Sequence, residues 1–240
     1  MRAERATNRV MVIVAHSDDA ESWAGGTVAK FARDGKTLAY VIVTSGDKGS
    51  ADRTARPDDL RTIREGEQRN AAQTLGINDV TFLRYSDCEV EDTRRLRLDI
   101  TREIRRFRPN VVIVQNPLRT YNLGVSHRDH RVVAGVALDC VYPLADNYFA
   151  FPELLPEYAP HRVSEVYITQ TENPKLVIDI STTIEMKTKA FIWQHRSGNC
   201  LDPRARCASA RPTAWRSLSA STGLLCRRAR SICLPANARL

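Results

Sequence analysis

The sequence predicts an α/β fold, in which a Rossmann-like, mostly parallel sheet carries helices on both faces. Three observations lead to this class. Short apolar runs rich in β-branched residues recur over residues 1–195, a segment of helical spacing follows most of them, and glycine or proline ends several of the helices. Strands without a polar face are typical of parallel sheets enclosed by helices, and alternation of strand and helix gives right-handed crossovers.

The predicted elements alternate along the chain. The first strand is predicted at residues 10–15, where no polar residue interrupts the apolar run. A helix over 22–33 ends at Asp34-Gly35, and a second strand over 37–43 leads into the glycine-rich loop 44–50. The order then continues with helix 58–75, strand 80–83, helix 93–107, strand 111–114, helix 127–140, strands 163–169 and 176–178, and helix 182–195.

Two dense clusters of ionisable residues follow predicted strands. His16-Ser-Asp-Asp19 comes directly after the first strand, and His127-Arg-Asp-His130 follows the loop after strand 111–114. Ligands of such sheets bind beyond the carboxyl ends of the strands, so we expect the two clusters to meet there. Imidazole and carboxylate suit zinc in an open catalytic site. Spacing alone does not decide which aspartate binds the metal.

Two imidazoles and one carboxylate leave a coordination position for water, whose pKa zinc lowers to about 7. A free carboxylate can then take a proton from the water, and an opposing imidazole can stabilise the oxyanion. These groups predict a metal-dependent hydrolase that cleaves an amide or ester.

Size and composition predict one principal domain. The chain has 240 residues and a mass of 27.0 kDa, and no apolar stretch approaches the ~20 residues of a membrane span. Its polar start, followed by a short apolar run, does not fit a signal peptide. We therefore expect a cytoplasmic protein without a membrane partner, and a homo-oligomer is left open.

The formal charge of +8 belongs to the last part of the chain. Residues 196–240 contain nine arginines and one acidic residue, so residues 1–195 carry no net charge. The tail also holds four of the six cysteines, without the spacing of a zinc knuckle. We predict a domain at 1–195 and an atypical basic tail at 196–240, and we do not expect a nucleic-acid partner. A shift of reading frame is the favoured explanation of the tail, with a real disordered appendage as the alternative.

Four motifs, in order, resemble those of the LmbE-like, or PIG-L, N-acetylglucosaminyl deacetylases. The first is Ala15-His-Ser-Asp-Asp-Ala-Glu21 with Gly25-Gly-Thr27, which resembles AHPDD(E/A) and GG(T), although Ser17 replaces the usual proline. The others are Thr44-Ser-Gly-Asp-Lys-Gly49, Arg64-Glu-Gly-Glu-Gln-Arg69 and Ser126-His-Arg-Asp-His130. The resemblance spans about residues 9–195.

The resemblance implies a zinc-dependent N-deacetylase acting on an N-acetylated amino sugar or glycoconjugate. It implies that zinc is held by His16, Asp19 and His130. The remaining roles that it implies are general base for Asp18, electrophilic partner for His127, support of the His127 imidazole for Asp129, and substrate contact for Arg64.

Other interpretations stay open. Asp18, Asp19 and Asp129 could be helix caps, His127 an exposed cap, His130 a core histidine and Arg64 a solvated residue of a charged helix. Gly46 and Gly49 could be turn glycines or a phosphate cradle. Other functions considered are a metal-binding but inactive relative with a damaged end, a nucleotide-binding α/β module and a basic nucleic-acid binder.

Overall fold

The computed structural model describes residues 8–122 and 126–194, together with the backbone of residues 231–234. Within these residues, one sheet contains the strands β1 (Arg9–Val14), β2 (Thr37–Thr44), β3 (Asp79–Tyr85), β4 (Val111–Val114) and β5 (Glu165–Ile168). All neighbouring pairs are parallel, in the order β3-β2-β1-β4-β5. The predicted α/β fold class is confirmed.

Helices cover both faces of this sheet. Their bounds are α1 (Asp19–Trp23), α2 (Gly25–Arg33), α3 (Pro57–Thr74), α4 (Arg94–Phe107), α5 (Arg128–Asp139) and α6 (Ile184–Trp193). Helices α4 and α5 contribute to the apolar core on one face, and α1, α2, α3 and α6 contribute to the core on the other.

Strand β1 lies between the two cores, which explains its uninterrupted apolar run. Met11 and Ile13 belong to the core beneath α4 and α5, whereas Val10 and Val12 belong to the opposite core. None of these four side chains is more than 1% exposed. Successive residues of a strand point to opposite faces, so a strand covered on both faces has no solvent-facing position.

Local signals account for several helix ends. The Thr93 hydroxyl accepts the backbone N–H of Leu96 at 3.2 Å and caps the start of α4. Gly76 follows α3 with a φ of 85°, a conformation that glycine adopts without a Cβ clash.

Two features differ from the prediction. The helix predicted over 22–33 is two helices, because the chain leaves helical geometry at Ala24, where φ is −128°. The strand predicted over 176–178 does not join the parallel sheet. It forms β6 (Leu176–Asp179), which pairs antiparallel with the backbone of β7 (Ser231–Leu234). The rest of the predicted tail, 196–240, lies outside the described residues.

The topology places a crevice at the centre of the sheet. The strand order reverses at β1, which lies between β2 and β4, and the carboxyl ends of all five strands meet at one edge. Such a reversal point is where open α/β sheets bind ligands. Among the described residues, no helix has both the length and the apolar character that crossing a membrane requires.

Candidate metal centre and active site

The first motif turns sharply where β1 ends. The backbone N–H of Thr44 donates to the Ala15 carbonyl at 2.8 Å, which ties the exit of β1 to β2. Asp18 then adopts a left-handed conformation with a φ of 88°, and α1 begins at Asp19. The Asp19 carboxylate accepts the backbone N–H of His16 at 2.9 Å, which closes the turn.

The three predicted metal ligands come together at this edge. His16 Nδ1 lies 3.1 Å from His130 Nε2. Asp19 Oδ2 lies 3.4 Å from His16 Nδ1, and the other carboxylate oxygen, Asp19 Oδ1, lies 3.1 Å from His130 Nε2. Zinc bonds to nitrogen and oxygen are about 2.0–2.2 Å long, so the corners of a tetrahedral site are about 3.3 Å apart. The donor set and its spacing therefore fit one divalent ion with one open position.

The second nitrogen of His16 faces carboxylates. His16 Nε2 lies 3.0 Å from Asp87 Oδ1 and 3.3 Å from Asp129 Oδ2. An ionised carboxylate only accepts, so in the neutral ring Nε2 carries the proton and the Nδ1 lone pair is free for an ion. Burial lowers the pKa of His16, but hydrogen bonds to three carboxylates outweigh it and raise this pKa well above its ordinary value.

Sequence reasoning missed Asp87. It lies two residues after β3, and β3 ends at the same edge of the sheet as β1. The sequence signal that could have identified Asp87 is its position just after a parallel strand. This signal is weak, because β2 lies between β3 and β1 in the sheet.

His127 is the N-cap residue of α5. Its Nδ1 accepts the backbone N–H of Asp129 at 3.1 Å, so Nε2 carries the proton in the neutral imidazole. Burial and the neighbouring imidazoles of His16 and His130 lower the pKa of His127. The three rings are close, since the His127 centroid lies 4.6 Å from that of His16 and 5.3 Å from that of His130.

The carboxylate of Asp129 lies closer to Cys88 and His16 than to the His127 ring. It lies 3.9 Å from His127 Nδ1, whereas it accepts the backbone N–H of Cys88 at 2.7 Å and contacts His16. Support for the His127 imidazole therefore comes from the backbone of Asp129 at this position.

Two further groups of side chains lie close enough to share an ion. In each group, one ligand atom from every member falls within 4.8 Å of the others. The groups are His16, His127 and His130, and His16, Asp87, His127 and Asp129. The described residues thus offer more than one ligand set, and all of them include His16.

Asp18 lies beside the ligands and next to Arg64. Burial raises the pKa of the Asp18 carboxyl to about 6, although Arg64 lowers it. Arg64 Nη2 lies 3.5 Å from Asp18 Oδ2 and donates to the Ser17 carbonyl at 2.8 Å. Arg64 is only 9% exposed, so it is not a solvated residue of a charged helix.

The glycine loop packs against the guanidinium of Arg64. A Cβ on Gly46 would come within 2.7 Å of Arg64 Nε, and a Cβ on Gly49 within 2.6 Å of Arg64 Nη1. Gly46 also has a φ of 63°. Both glycines therefore provide space for the arginine side chain.

A buried polar network lies behind Asp18. Glu21 is fully buried, and its two oxygens accept from Gln68 Nε2 at 3.0 Å and Gln194 Nε2 at 3.1 Å. Burial raises the pKa of Glu21 to about 8. Gln68 was also missed, although it lies one helical turn after Arg64.

A cavity of about 790 Å³ opens between the loops that follow β4 and β5. Its lining includes Arg119, Tyr121, Asn122 and Gln170. The Arg119 guanidinium lies 5.6 Å from the ring centroid of Trp23, in the helix that begins at Asp19. Arg119 therefore connects the cavity lining to the last residue of α1.

Comparisons with known proteins add a family and a fold. Over residues 11–141 the chain matches the PIG-L family, described as GlcNAc-PI de-N-acetylase. It is 29% identical over 182 residues to a diacetylchitobiose deacetylase of Thermococcus kodakarensis, a match that covers 76% of this chain and 67% of that protein. It is 32% identical over 148 residues to a 1D-myo-inositol 2-acetamido-2-deoxy-alpha-D-glucopyranoside deacetylase of Mycobacteroides abscessus, which covers 52% of each protein. The chain thus spans about half to two thirds of the length of these relatives.

Solved structures share the fold. The N,N'-diacetylchitobiose deacetylase of Pyrococcus horikoshii aligns with a TM-score of 0.76 at 24% identity, over 95% of this chain and 82% of that one. A 4-carboxy-2-hydroxymuconate hydratase of Pseudomonas putida aligns with a TM-score of 0.70 at 18% identity, over 97% of each chain. Since a hydratase has the same fold, the fold alone does not decide the reaction.

Proposed function

The chain belongs to the PIG-L family of de-N-acetylases, and we propose that it is a zinc-dependent hydrolase that removes the acetyl group from an N-acetylglucosamine unit or its conjugate. The matched relatives are named as deacetylases of N-acetylated amino sugars. This substrate class carries the amide bond on which the proposed site residues act.

One observation carries the proposal. Donor atoms of His16 and His130, which are 114 residues apart in the sequence, lie 3.1 Å from each other with the Asp19 carboxylate beside both. A fourth ionisable group, Asp18, lies next to them and outside this ligand set. A hydrolytic metal site needs both parts, an open metal position and a free base.

In this proposal His16, Asp19 and His130 would hold the zinc. A bound zinc ion supplies Lewis acidity and lowers the pKa of a water in its open position to about 7. The hydrogen bonds from His16 Nε2 to Asp87 and Asp129 fix the ring so that Nδ1 faces His130 and Asp19, the other residues that would hold the zinc.

Asp18 and His127 act on the substrate. Asp18 takes a proton from the attacking water while the water oxygen bonds to the acetyl carbon. His127 donates its Nε2–H to the developing oxyanion, because its Nδ1 is occupied by the Asp129 backbone N–H. The C–N bond then breaks, the proton held by Asp18 passes to the sugar nitrogen, and acetate and the free amine leave.

Acetate release from zinc-loaded protein tests the proposal. The substrate panel is N-acetylglucosamine, diacetylchitobiose and an inositol glycoside of N-acetylglucosamine, each with and without chelator. We expect turnover on at least one substrate, and its loss with chelator. We expect Asp18→Asn to lower kcat by about 10²- to 10⁴-fold with zinc content retained.

The matched control is Asp59→Asn, at an exposed position in the first turn of α3, which keeps full activity. Full zinc content without turnover on any substrate would favour the inactive relative. Normal turnover by protein shown to be free of metal would contradict the proposal.

A further inference from the structure

The backbone at Asp18 requires support from its surroundings. Its φ of 88° lies in the left-handed region, where a side chain with a Cβ is strained. Asp18 is the N-cap residue of α1, but its side chain makes no capping hydrogen bond to the helix. Contacts from elsewhere in the fold must therefore hold this conformation.

Two side chains of α3 form hydrogen bonds to the peptide group between Ser17 and Asp18. Arg64 Nη2 donates to the Ser17 carbonyl at 2.8 Å, and Gln68 Oε1 accepts the Asp18 N–H at 3.1 Å. Residues four apart lie on the same face of a helix, so both side chains reach the turn from one surface. Hydrogen bonds at both ends of one peptide plane fix its rotation.

The orientation of the Gln68 amide is itself fixed. Its Nε2 donates to Glu21 Oε1 at 3.0 Å, and its Oε1 also accepts Gln194 Nε2 at 2.9 Å. A flipped amide would place its NH2 group against two donors, the Asp18 N–H and Gln194 Nε2, and would no longer donate to Glu21 Oε1. Glu21 and Gln194 therefore ensure that Gln68 presents an oxygen to Asp18.

We propose that Gln68 is a positioning residue for deacetylation, which holds the Asp18 backbone in its left-handed conformation while Glu21 and Gln194 lock the Gln68 amide. The inference rests on the proposed function, because it assigns Asp18 as the base. Gln68 and Glu21 are fully buried and Gln194 is 5% exposed, so the network acts through Asp18 and does not touch substrate.

The first test compares Gln68→Leu with Gln73→Leu, a matched change at an exposed position of the same helix. We expect Gln68→Leu to lower kcat by about 10- to 100-fold, since small misplacements of a reacting group have effects of this size. KM and zinc content stay unchanged, because neither the substrate contacts nor the ligands are altered. Gln73→Leu keeps the wild-type kcat.

A charge-conserving exchange provides the rescue. Gln68→Glu alone removes the N–H that Gln68 donates to Glu21 and places two carboxyl groups about 3 Å apart, which repel unless one of them holds a proton. We expect a loss of kcat. In the double variant Glu21→Gln/Gln68→Glu, the amide introduced at position 21 would donate to the carboxylate introduced at position 68 and accept from Gln194. The introduced carboxylate would in turn accept the Asp18 N–H. Each of these hydrogen bonds again has one donor and one acceptor. We therefore expect kcat to return to within about threefold of wild type.

Amide exchange at Asp18, followed by NMR on the zinc-loaded protein, separates this inference from the proposed function. We expect the Asp18 N–H to exchange at least about tenfold faster in Gln68→Leu than in wild type, and to be protected again in the double variant. A folded Gln68→Leu with wild-type kcat and a protected Asp18 N–H would overturn the positioning role. A double variant as impaired as Gln68→Glu would overturn it as well. If wild-type protein is inactive on every substrate, the proposed function fails and the amide exchange still decides whether Gln68 holds Asp18.

Discussion

Two adjacent aspartates have opposite environments. Asp19 contacts the imidazoles of His16 and His130, and these contacts outweigh burial and hold its pKa well below the ordinary value. Asp18 is turned toward Arg64, and burial raises its pKa to about 6. A pair of carboxyl groups with pKa values pushed apart is typical of sites that need one permanent anion and one proton acceptor. The sequence left the division of roles open, because it depends on contacts with distant residues.

At Gly49, the absence of a side chain leaves room for Arg64. Gly49→Ala places a Cβ 2.6 Å from Arg64 Nη1, the end of a flexible side chain, so the arginine moves and the fold persists. We expect kcat/KM to fall about tenfold and the free energy of unfolding to change by less than about 1 kcal/mol. Steady-state kinetics and urea unfolding measure the two effects.

The control is Gly135→Ala in α5, where the added Cβ meets open space. Wild-type kinetics in Gly49→Ala would show that the loop does not set the position of Arg64.

At the scale of elements, the packing of α2 depends on a small residue. A Cβ on Gly26 would come 2.5 Å from Ile180 Cδ1 and 2.9 Å from Ile180 Cβ, and Ile180 is fully buried. We expect Gly26→Ala to destabilise the protein by about 1–3 kcal/mol, as overpacking of a core does. Gly66→Ala in α3 meets open space and should stabilise by about 0.5–1 kcal/mol through helix propensity. Equal effects of the two substitutions in urea unfolding would contradict this packing.

His161 ties the segment after α5 to the turn before β4. Its Nε2 contacts the Pro109 carbonyl at 2.7 Å, and its backbone N–H donates to Ala145. Burial lowers the pKa of His161 below its ordinary 6.5, although the hydrogen bond opposes this. The fold thus favours the neutral ring, so the stabilisation is full above pH 6.5 and is lost as the pH falls through the lowered folded pKa.

His161→Gln keeps an N–H donor but does not titrate. We therefore expect its free energy of unfolding to fall less than that of wild type between about pH 7.5 and pH 5. Parallel pH profiles of the two proteins would show that His161 does not titrate with unfolding.

The sequence predicts individual strands and helices better than it predicts how they pack and pair. The apolar run at β1, the Thr93 cap and the Gly76 stop are local signals, and the structure has the corresponding strand and helix ends. The break at Ala24 and the departure of β6 from the main sheet depend on packing between distant segments, which periodicity does not encode. Gln68 was missed for the same reason, since it matters only through its contact with the first motif, whereas the position of Asp87 just after β3 was a signal that the sequence offered.

On the scale of the whole molecule, a bound ion would join distant parts of the chain. His16 and Asp19 follow β1, whereas His130 belongs to α5. An ion between them would join the connection from β1 to β2 with the connection from β4 to β5. Because an ion held by this set binds the folded state, saturating zinc stabilises the fold by mass action.

We expect chelation to lower the Tm. At a zinc concentration of 100 times Kd the stabilisation is about 2.7 kcal/mol, which corresponds to roughly 5–10 °C for a chain of this size. His130→Ala should lose the zinc-dependent shift, whereas Asp18→Asn should keep it. Thermal unfolding with and without chelator measures the difference, and a shift that survives in His130→Ala would place the ion elsewhere.

We propose that His16, Asp19 and His130 share one divalent ion. Anomalous diffraction at the zinc absorption edge, from crystals of the zinc-loaded protein, tests it most directly. We predict a single peak in this site, about 2.0–2.2 Å from His16 Nδ1, His130 Nε2 and an Asp19 oxygen. A peak bound instead between Asp87 and His127, or no peak within bonding distance of both His16 and His130, would contradict the account.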